Sequence, residues 1–202
     1  MNPRTSLKKN VVLNVAGSVI PLLVAIVTVP LYLNSVGAAR YGVLSLVWLF
    51  AGYFSLLDFG ISRATVNMIA RTPYSDQPGQ QRVLWSALWI NGVFGLVGMV
   101  LVYPLAQYIF GTVRFDEPGL REELVASLPW LCLTVPLTLV SGVLQGGLEA
   151  RERFGVLNTL NVIGSLAVQL VPVLLAYQVS VKLDVLIPSI VITRLVLFIV
   201  TV

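Results

Sequence analysis

The segment from Asn10 to Ala39 reads NVVLNVAGSVIPLLVAIVTVPLYLNSVGAA and carries no charged side chain. A helix that crosses the hydrocarbon core of a bilayer, about 30 Å thick, needs about 20 largely apolar residues, so this segment is long enough to span a membrane. It continues far beyond the short apolar region of a cleavable signal peptide and has no small-residue cleavage pattern before Asn34. We therefore expect it to remain in the protein as the first transmembrane helix.

Similar apolar segments follow along the chain. They are long and continuous, without the alternating pattern of barrel strands, which favours helices. The last of them carries Arg194. The sequence therefore predicts an all-α, polytopic membrane protein that forms one lobe of about six transmembrane helices. Their expected bounds are about 11–33, 42–70, 83–110, 123–148, 154–178 and 185–202.

The composition agrees with a membrane protein and excludes several functions. Hydrophobic residues make up 57% and charged residues 11% of the 202 residues, which is too apolar for a water-soluble domain. There is one cysteine, Cys132, and no histidine, so we expect no metal site and no disulfide within the chain. Phosphate-loop, HExxH and nucleophile-elbow motifs are absent, so we expect neither an enzyme nor a cofactor. The scattered basic residues form no patch for nucleic acid.

The distribution of basic residues predicts the orientation in the membrane. A cytoplasmic N-terminus places more basic residues on the cytoplasmic side than outside, as the positive-inside rule requires. The cytoplasmic set is Arg4, Lys8, Lys9, Arg71, Arg82, Arg151 and Arg153, and the outer set is Arg40, Arg114, Arg121 and Lys182.

Polar residues recur at helical spacing along the first, fourth and fifth predicted helices, where positions three or four apart share a face. One interpretation is that they form hydrogen bonds between helices. The other, favoured by the length of the three stripes, is that they line a shared polar cavity. The candidate lining residues from these stripes are Asn14, Ser18, Thr134, Thr138, Ser141, Gln145, Asn158, Asn161, Ser165 and Gln169.

Charged residues within the apolar segments complete the candidate substrate site. Arg194 lies nine residues after Val185, about 14 Å along a helix and therefore near the midplane. An arginine at that depth costs about 2.5 to 3.5 kcal/mol on insertion scales, so we expect it to face protein or water. Asp58 and Arg63 lie near the expected inner boundary, and Asp58 is either a cavity residue, a structural partner of Arg194 or an interfacial residue.

The segment from Asn14 to Arg71 also resembles a known family. The PLY tripeptide at 30–32, the loop with Gly37 and the YG pair at 41–42, and the LDFG segment at 57–60 followed by Arg63 are similar to the opening of Wzx-type oligosaccharide (O-antigen) flippases of the polysaccharide transporter family. The resemblance is close over about two helices and extends over the rest of the chain by helix count and loop length.

The resemblance implies a protein of two six-helix lobes around a cavity that opens alternately to either side, with residues 1–202 as the N-terminal lobe. Such proteins move undecaprenyl-pyrophosphate-linked sugar repeats across the bacterial plasma membrane. The lipid-linked oligosaccharide and the bilayer are then the expected partners, and polysaccharide polymerase and glycosyltransferases are candidate protein partners. The sequence stops at Thr201-Val202 inside an apolar helix, so it is either a fragment or truncated reading frame, or a chain that pairs with another half. Of these we expect the fragment.

Three functions stay open at this level. In a flippase, a cationic cavity would bind pyrophosphate through the paired donors of Arg194. In a cation-coupled multidrug exporter of the same superfamily, an acidic cavity around Asp58 is expected instead. The third function is a non-transporting scaffold of the polysaccharide assembly machinery, which would organise sugar polymerases.

Overall fold

The computed structural model describes residues 3–54, 60–73, 75–112, 117 and 119–201; within these ranges, the side chains of residues 3–14, 16, 18, 50, 51 and 54 are not described. All regular secondary structure in these ranges is helical. The helices are α1 (Pro3–Phe54), α2 (Ile61–Arg71), α3 (Gln77–Thr112), α4 (Leu120–Ala150), α5 (Phe154–Gln178) and α6 (Leu183–Thr201).

Five of the described helical segments are long and apolar enough to cross a membrane. They are Val19–Leu49 within α1, and α3, α4, α5 and α6 over their full lengths. Large apolar side chains remain on the outside of the bundle, such as Val100 and Leu101 on α3, which are 71% and 66% exposed. Lipid solvates such a surface and water does not. The prediction of an all-α, multi-pass membrane protein is confirmed.

The helix α1 reverses direction at Gly37, where φ is 82° and ψ is 165°, a backbone conformation that only glycine adopts readily. The rings of Tyr32 and Trp48 lie 5.5 Å apart between centroids. Sixteen residues of straight helix would separate their backbones by about 24 Å, which side chains alone cannot bridge. We therefore describe α1 as a first arm (3–36) and a second arm (38–54) that folds back on it.

The predicted continuous helix over 42–70 is wrong. The second arm ends at Phe54, and α2 begins only at Ile61, after Gly60 with φ 79° and ψ 10°. An α-helix requires negative φ, so a left-handed residue at this position ends any helix that reaches it. Residues 55–59, which include Asp58, lie outside the described residues.

The short helix α2 packs against α4 through small residues. A Cβ at Gly146 would lie 3.2 Å from the Ser62 backbone oxygen and 3.1 Å from Val66, and a Cβ at Gly142 would lie 3.1 Å from the Ser62 hydroxyl. The absence of side chains at these two positions lets the helices approach closely. Arg63 lies on the exposed face of α2.

The two halves of the bundle are packed differently. We call the end where α4 and α6 begin the Arg40 end, because Arg40 pairs there with Glu117, just before α4, and with Glu123 in the first turn of α4. The hydrophobic core lies in this half, where both arms of α1, the end of α3, the starts of α4 and α6, and the end of α5 meet. Fully buried members include Leu44, Leu124 and Leu186. A cavity begins beside this core and extends toward the other end of the bundle.

Candidate functional site

A cavity of about 680 Å³ lies between α1, α4, α5 and α6. Each of these elements contributes a wall, and the second arm of α1 reaches it only because the chain reverses at Gly37. The lining residues are Ala25, Thr28, Val29, Tyr41, Trp48, Leu137, Thr138, Ser141, Gly142, Leu144, Gln145, Leu160, Asn161, Gly164, Ser165, Val168, Gln169, Arg194, Leu197, Phe198 and Thr201.

The cavity brings together seven of the thirteen residues that the sequence singled out. Arg194 on α6 lines the same cavity as polar side chains of α4 and α5. Those side chains are Thr138, Ser141, Gln145, Asn161, Ser165 and Gln169. The geometry therefore assembles the centre of the predicted site, and the contact of these residues with substrate stays a prediction.

Three candidates do not line this cavity. Thr134 is buried, and its hydroxyl donates to the Leu131 carbonyl oxygen at 2.6 Å, so it faces its own helix. Asn158 packs against Gly17, where an added Cβ would lie 3.2 Å from the Asn158 side-chain oxygen. Arg63 is exposed on α2. Helical spacing alone cannot separate a face that packs on a neighbour from one that borders a cavity.

Three further candidates cannot be placed at the cavity. The backbone of Asn14 and Ser18 belongs to α1, but their side chains lie outside the described part of the structure, and Asp58 lies outside it entirely.

Arg194 gives the cavity its charge. It is the one Asp, Glu, Lys or Arg among the described residues that line the cavity. It lies eleven residues after Leu183 at the start of α6, about 16 Å along the helix. Its Nε atom is buried and has no hydrogen-bond partner among the described residues. A buried donor of a charged group is costly when it has no acceptor, so this position is suited to an anion that supplies the missing acceptors.

Gln169 connects α5 to the first arm of α1. The Thr28 hydroxyl donates to its side-chain oxygen at 3.2 Å, and its amide nitrogen donates to the Pro21 carbonyl oxygen at 3.4 Å. The Tyr32 hydroxyl donates to the Gln169 backbone oxygen at 2.7 Å. The hydrogen-bonding interpretation of the polar stripes is thus correct for Gln169. Ser165 differs, since its hydroxyl donates to the Asn161 backbone oxygen of its own helix at 2.7 Å.

Aromatic residues of the cavity wall were missed by sequence reasoning. Tyr41 and Trp48 lie on the second arm of α1, and Phe198 lies on α6 one turn after Arg194. No polar periodicity identifies them. The signal that could have found the first two is Gly37, since a reversal there brings the second arm against the first.

An ionic cluster closes the Arg40 end of the bundle. Arg40 donates from Nη1 to Glu117 Oε2 and from Nη2 to Glu123 Oε1, both at 2.9 Å, and from Nε to Glu123 Oε2 at 3.2 Å. The backbone N–H of Leu183 donates to the same Glu123 carboxylate at 3.0 Å. The cluster therefore joins the reversal of α1, the entry to α4 and the start of α6.

Comparison with known proteins assigns the family. The sequence model described as "Polysaccharide biosynthesis protein" matches residues 7–202. The chain belongs to the polysaccharide biosynthesis protein family. The expected resemblance to Wzx-type O-antigen flippases is confirmed, because a curated relative from Shigella flexneri named "Putative O-antigen transporter" is 22% identical over 172 residues.

The alignment with this relative covers 85% of the chain. The chain spans 41% of the relative's length. No solved structure shows a significant match to the chain.

Proposed function

We propose that this chain is one transmembrane lobe of a flippase that moves lipid-linked oligosaccharide across the plasma membrane by alternating access. The observation that carries the proposal concerns the Nε of Arg194, which has no partner among the described residues and lies in a cavity whose other described lining residues are uncharged at neutral pH. Family membership and the name of the Shigella flexneri relative support polysaccharide or O-antigen transport.

The cavity chemistry matches the parts of such a substrate. Arginine binds phosphate oxygens through two parallel donors, so Arg194 suits the pyrophosphate that links an undecaprenyl lipid to its sugars. Neutral hydroxyl and amide groups on α4 and α5, such as Ser141, Gln145 and Asn161, suit sugar hydroxyls. The volume of about 680 Å³ is in the range of small-molecule sites. The lipid chain would stay in the bilayer.

The alternatives have less support. A cation-coupled multidrug exporter would be expected to carry acidic groups in its cavity, and the described lining residues include neither aspartate nor glutamate. A scaffold without transport activity has no need for a partly open cavity with polar side chains in its wall. Polysaccharide polymerase and glycosyltransferases are proposed as partners on the resemblance alone.

We propose the bacterial inner membrane as the location, with the N-terminus in the cytoplasm. The asymmetry of basic residues supports this orientation. The Arg40 end then faces outward and is closed by the ionic cluster. The cavity then extends from the middle of the bundle toward the cytoplasmic end, where the lipid-linked substrate would be loaded.

The test uses the full-length transporter in cells that lack it, with surface polysaccharide and membrane abundance as the two measurements. Arg194→Ala should reduce surface polysaccharide at least about tenfold at normal abundance, and Arg194→Lys should reduce it less, since lysine keeps the charge without the paired donors. Arg71→Ala, on the exposed end of α2, is the matched control. Normal export by Arg194→Ala would contradict the proposal.

A structural pair between Arg194 and Asp58 would give a different result. Arg194→Ala would then lower membrane abundance, and adding Asp58→Ala would restore it by removing the orphaned charge.

A further inference from the structure

Three aromatic rings form a cluster on one side of the cavity. The ring of Tyr32 lies 5.8 Å from that of Tyr41 and 5.5 Å from that of Trp48, and the rings of Tyr41 and Trp48 are 6.2 Å apart. Tyr32 is fully buried, and its hydroxyl is bonded to Gln169. The Tyr32 ring packs against the rings of both Tyr41 and Trp48. Tyr41 and Trp48 are half-buried and line the cavity.

The indole N–H of Trp48 has no hydrogen-bond acceptor in the described part of the chain, although its nitrogen is buried. Buried tryptophan N–H groups normally have a partner. An uncharged acceptor from a bound molecule would satisfy this donor. The wall therefore combines aromatic faces with a free donor beside them.

The aromatic wall lies close in depth to Arg194. Tyr41 follows Arg40, which the ionic cluster holds level with Leu183 at the start of α6. Trp48 lies eight residues after Arg40, about 12 Å along its helix, and Arg194 lies eleven residues after Leu183, about 16 Å along α6. The difference in depth of about 4 Å is short enough for one ligand to reach both.

We propose that Tyr41 and Trp48 form a sugar-binding subsite, which takes the hexose attached to the pyrophosphate at Arg194. A hexose has a ring face of polarised C–H groups that packs on an aromatic face, which is negative at its centre. Its hydroxyl oxygens accept hydrogen bonds from an indole N–H. The cationic Arg194 disfavours a cationic ligand on the same rings. This inference rests on the proposed function, because it assigns the part of the substrate next to the phosphate.

The test measures binding to the full-length transporter in lipid nanodiscs. The probes are polyprenyl pyrophosphate alone and the same lipid carrying one glucose, galactose or N-acetylglucosamine. The wild-type protein should bind at least one sugar-bearing probe about tenfold more tightly than the bare lipid. Trp48→Leu should abolish this preference and leave the affinity for the bare lipid within about twofold.

Two variants separate the subsite from a packing role. Trp48→Phe keeps an aromatic face but removes the N–H, so it should lower the preference severalfold without abolishing it. Trp48→Phe also tests the subsite if Trp48→Leu does not reach the membrane. Trp89→Leu is the control, because Trp89 is 72% exposed on α3, away from the cavity. It should change neither affinity.

The outcomes distinguish this inference from the proposed function. If the wild type shows no preference for any sugar, or if Trp48→Leu keeps the preference or weakens all probes equally, the subsite is refuted. If none of the probes binds, or if the bare lipid binds equally well after Arg194→Ala, the proposed function is refuted, and the subsite with it.

Discussion

Arg40 and Arg194 both lie in long apolar helices, but their guanidinium groups have different surroundings. Arg40 uses three nitrogens on two carboxylates, and Glu123 also binds the backbone of α6. Arg194 borders a cavity, and its Nε has no partner among the described residues. A paired arginine contributes to structure, whereas an unpaired one beside a cavity is available to a ligand. Arg40 therefore stabilises the structure, whereas we infer that Arg194 binds a ligand.

The largest effect on stability is expected at the ionic cluster. Glu123→Gln should lower the free energy of unfolding by about 2 kcal/mol, after allowance for partial exposure, because Arg40 loses its main partner. Glu122→Gln, exposed on the same turn of α4, should have little effect. Thermal unfolding of the purified protein in detergent measures both. Equal melting temperatures for the two variants would show that the cluster does not hold this end together.

Removing Arg40 as well should reverse part of that loss. Adding Arg40→Met to Glu123→Gln should recover part of the stability, because in the single variant the guanidinium keeps only one carboxylate, that of the partly exposed Glu117. Additive losses in the double variant would contradict pairing as the cause.

A cysteine-labelling experiment tests the electrostatic difference between the cavity and the outer surface. In a Cys132→Ser background, Ser141→Cys should react about tenfold faster with an anionic thiol reagent than with a cationic one of equal size, because Arg194 attracts the anion. The preference should vanish when Arg194→Met is added. Leu174→Cys, on an exposed apolar position of α5, should react poorly with both reagents. Labelling of Ser141→Cys no faster than of Leu174→Cys would exclude a water-filled cavity.

The smallest effect is expected where the two halves meet. Thr28→Val removes the hydrogen bond to Gln169 and should cost about 0.6 kcal/mol of stability, the typical value for such a bond between membrane helices. Thr159→Val is the control, because its hydroxyl bonds only within α5, to Gly155. A double-mutant cycle with Gln169→Leu measures the coupling. Zero coupling would mean that this bond does not join the helices.

The later helices could be predicted from sequence because long apolar segments have few alternatives in a membrane. The expected bounds for α3 to α6 agree with the structure within six residues. The first two helices could not be predicted in the same way. Gly37 and Gly60 adopt positive φ, and nothing in the composition distinguishes these glycines from those that lie inside helices.

The candidate site was predictable in part, because helical spacing shows which residues share one face of a helix. Helical spacing identified the face of α4 that carries Thr138 and Ser141, but it also included Thr134, which turns toward its own backbone. The aromatic wall escaped prediction because Trp48 reaches the cavity only through the reversal at Gly37. Contacts between segments distant in sequence depend on packing, which a periodic pattern does not contain.

The central claim, that Arg194 is held free for a phosphate-bearing ligand while Arg40 is structural, is tested most directly by thermal unfolding with and without polyprenyl pyrophosphate. A ligand that binds the folded state raises its melting temperature by mass action. We predict that the lipid raises the melting temperature of the wild type and of Glu123→Gln but not of Arg194→Met. Without ligand, Arg194→Met should melt at or above the wild-type temperature. An equal ligand-induced rise in Arg194→Met, or a loss of its unliganded stability as large as that of Glu123→Gln, would contradict the account.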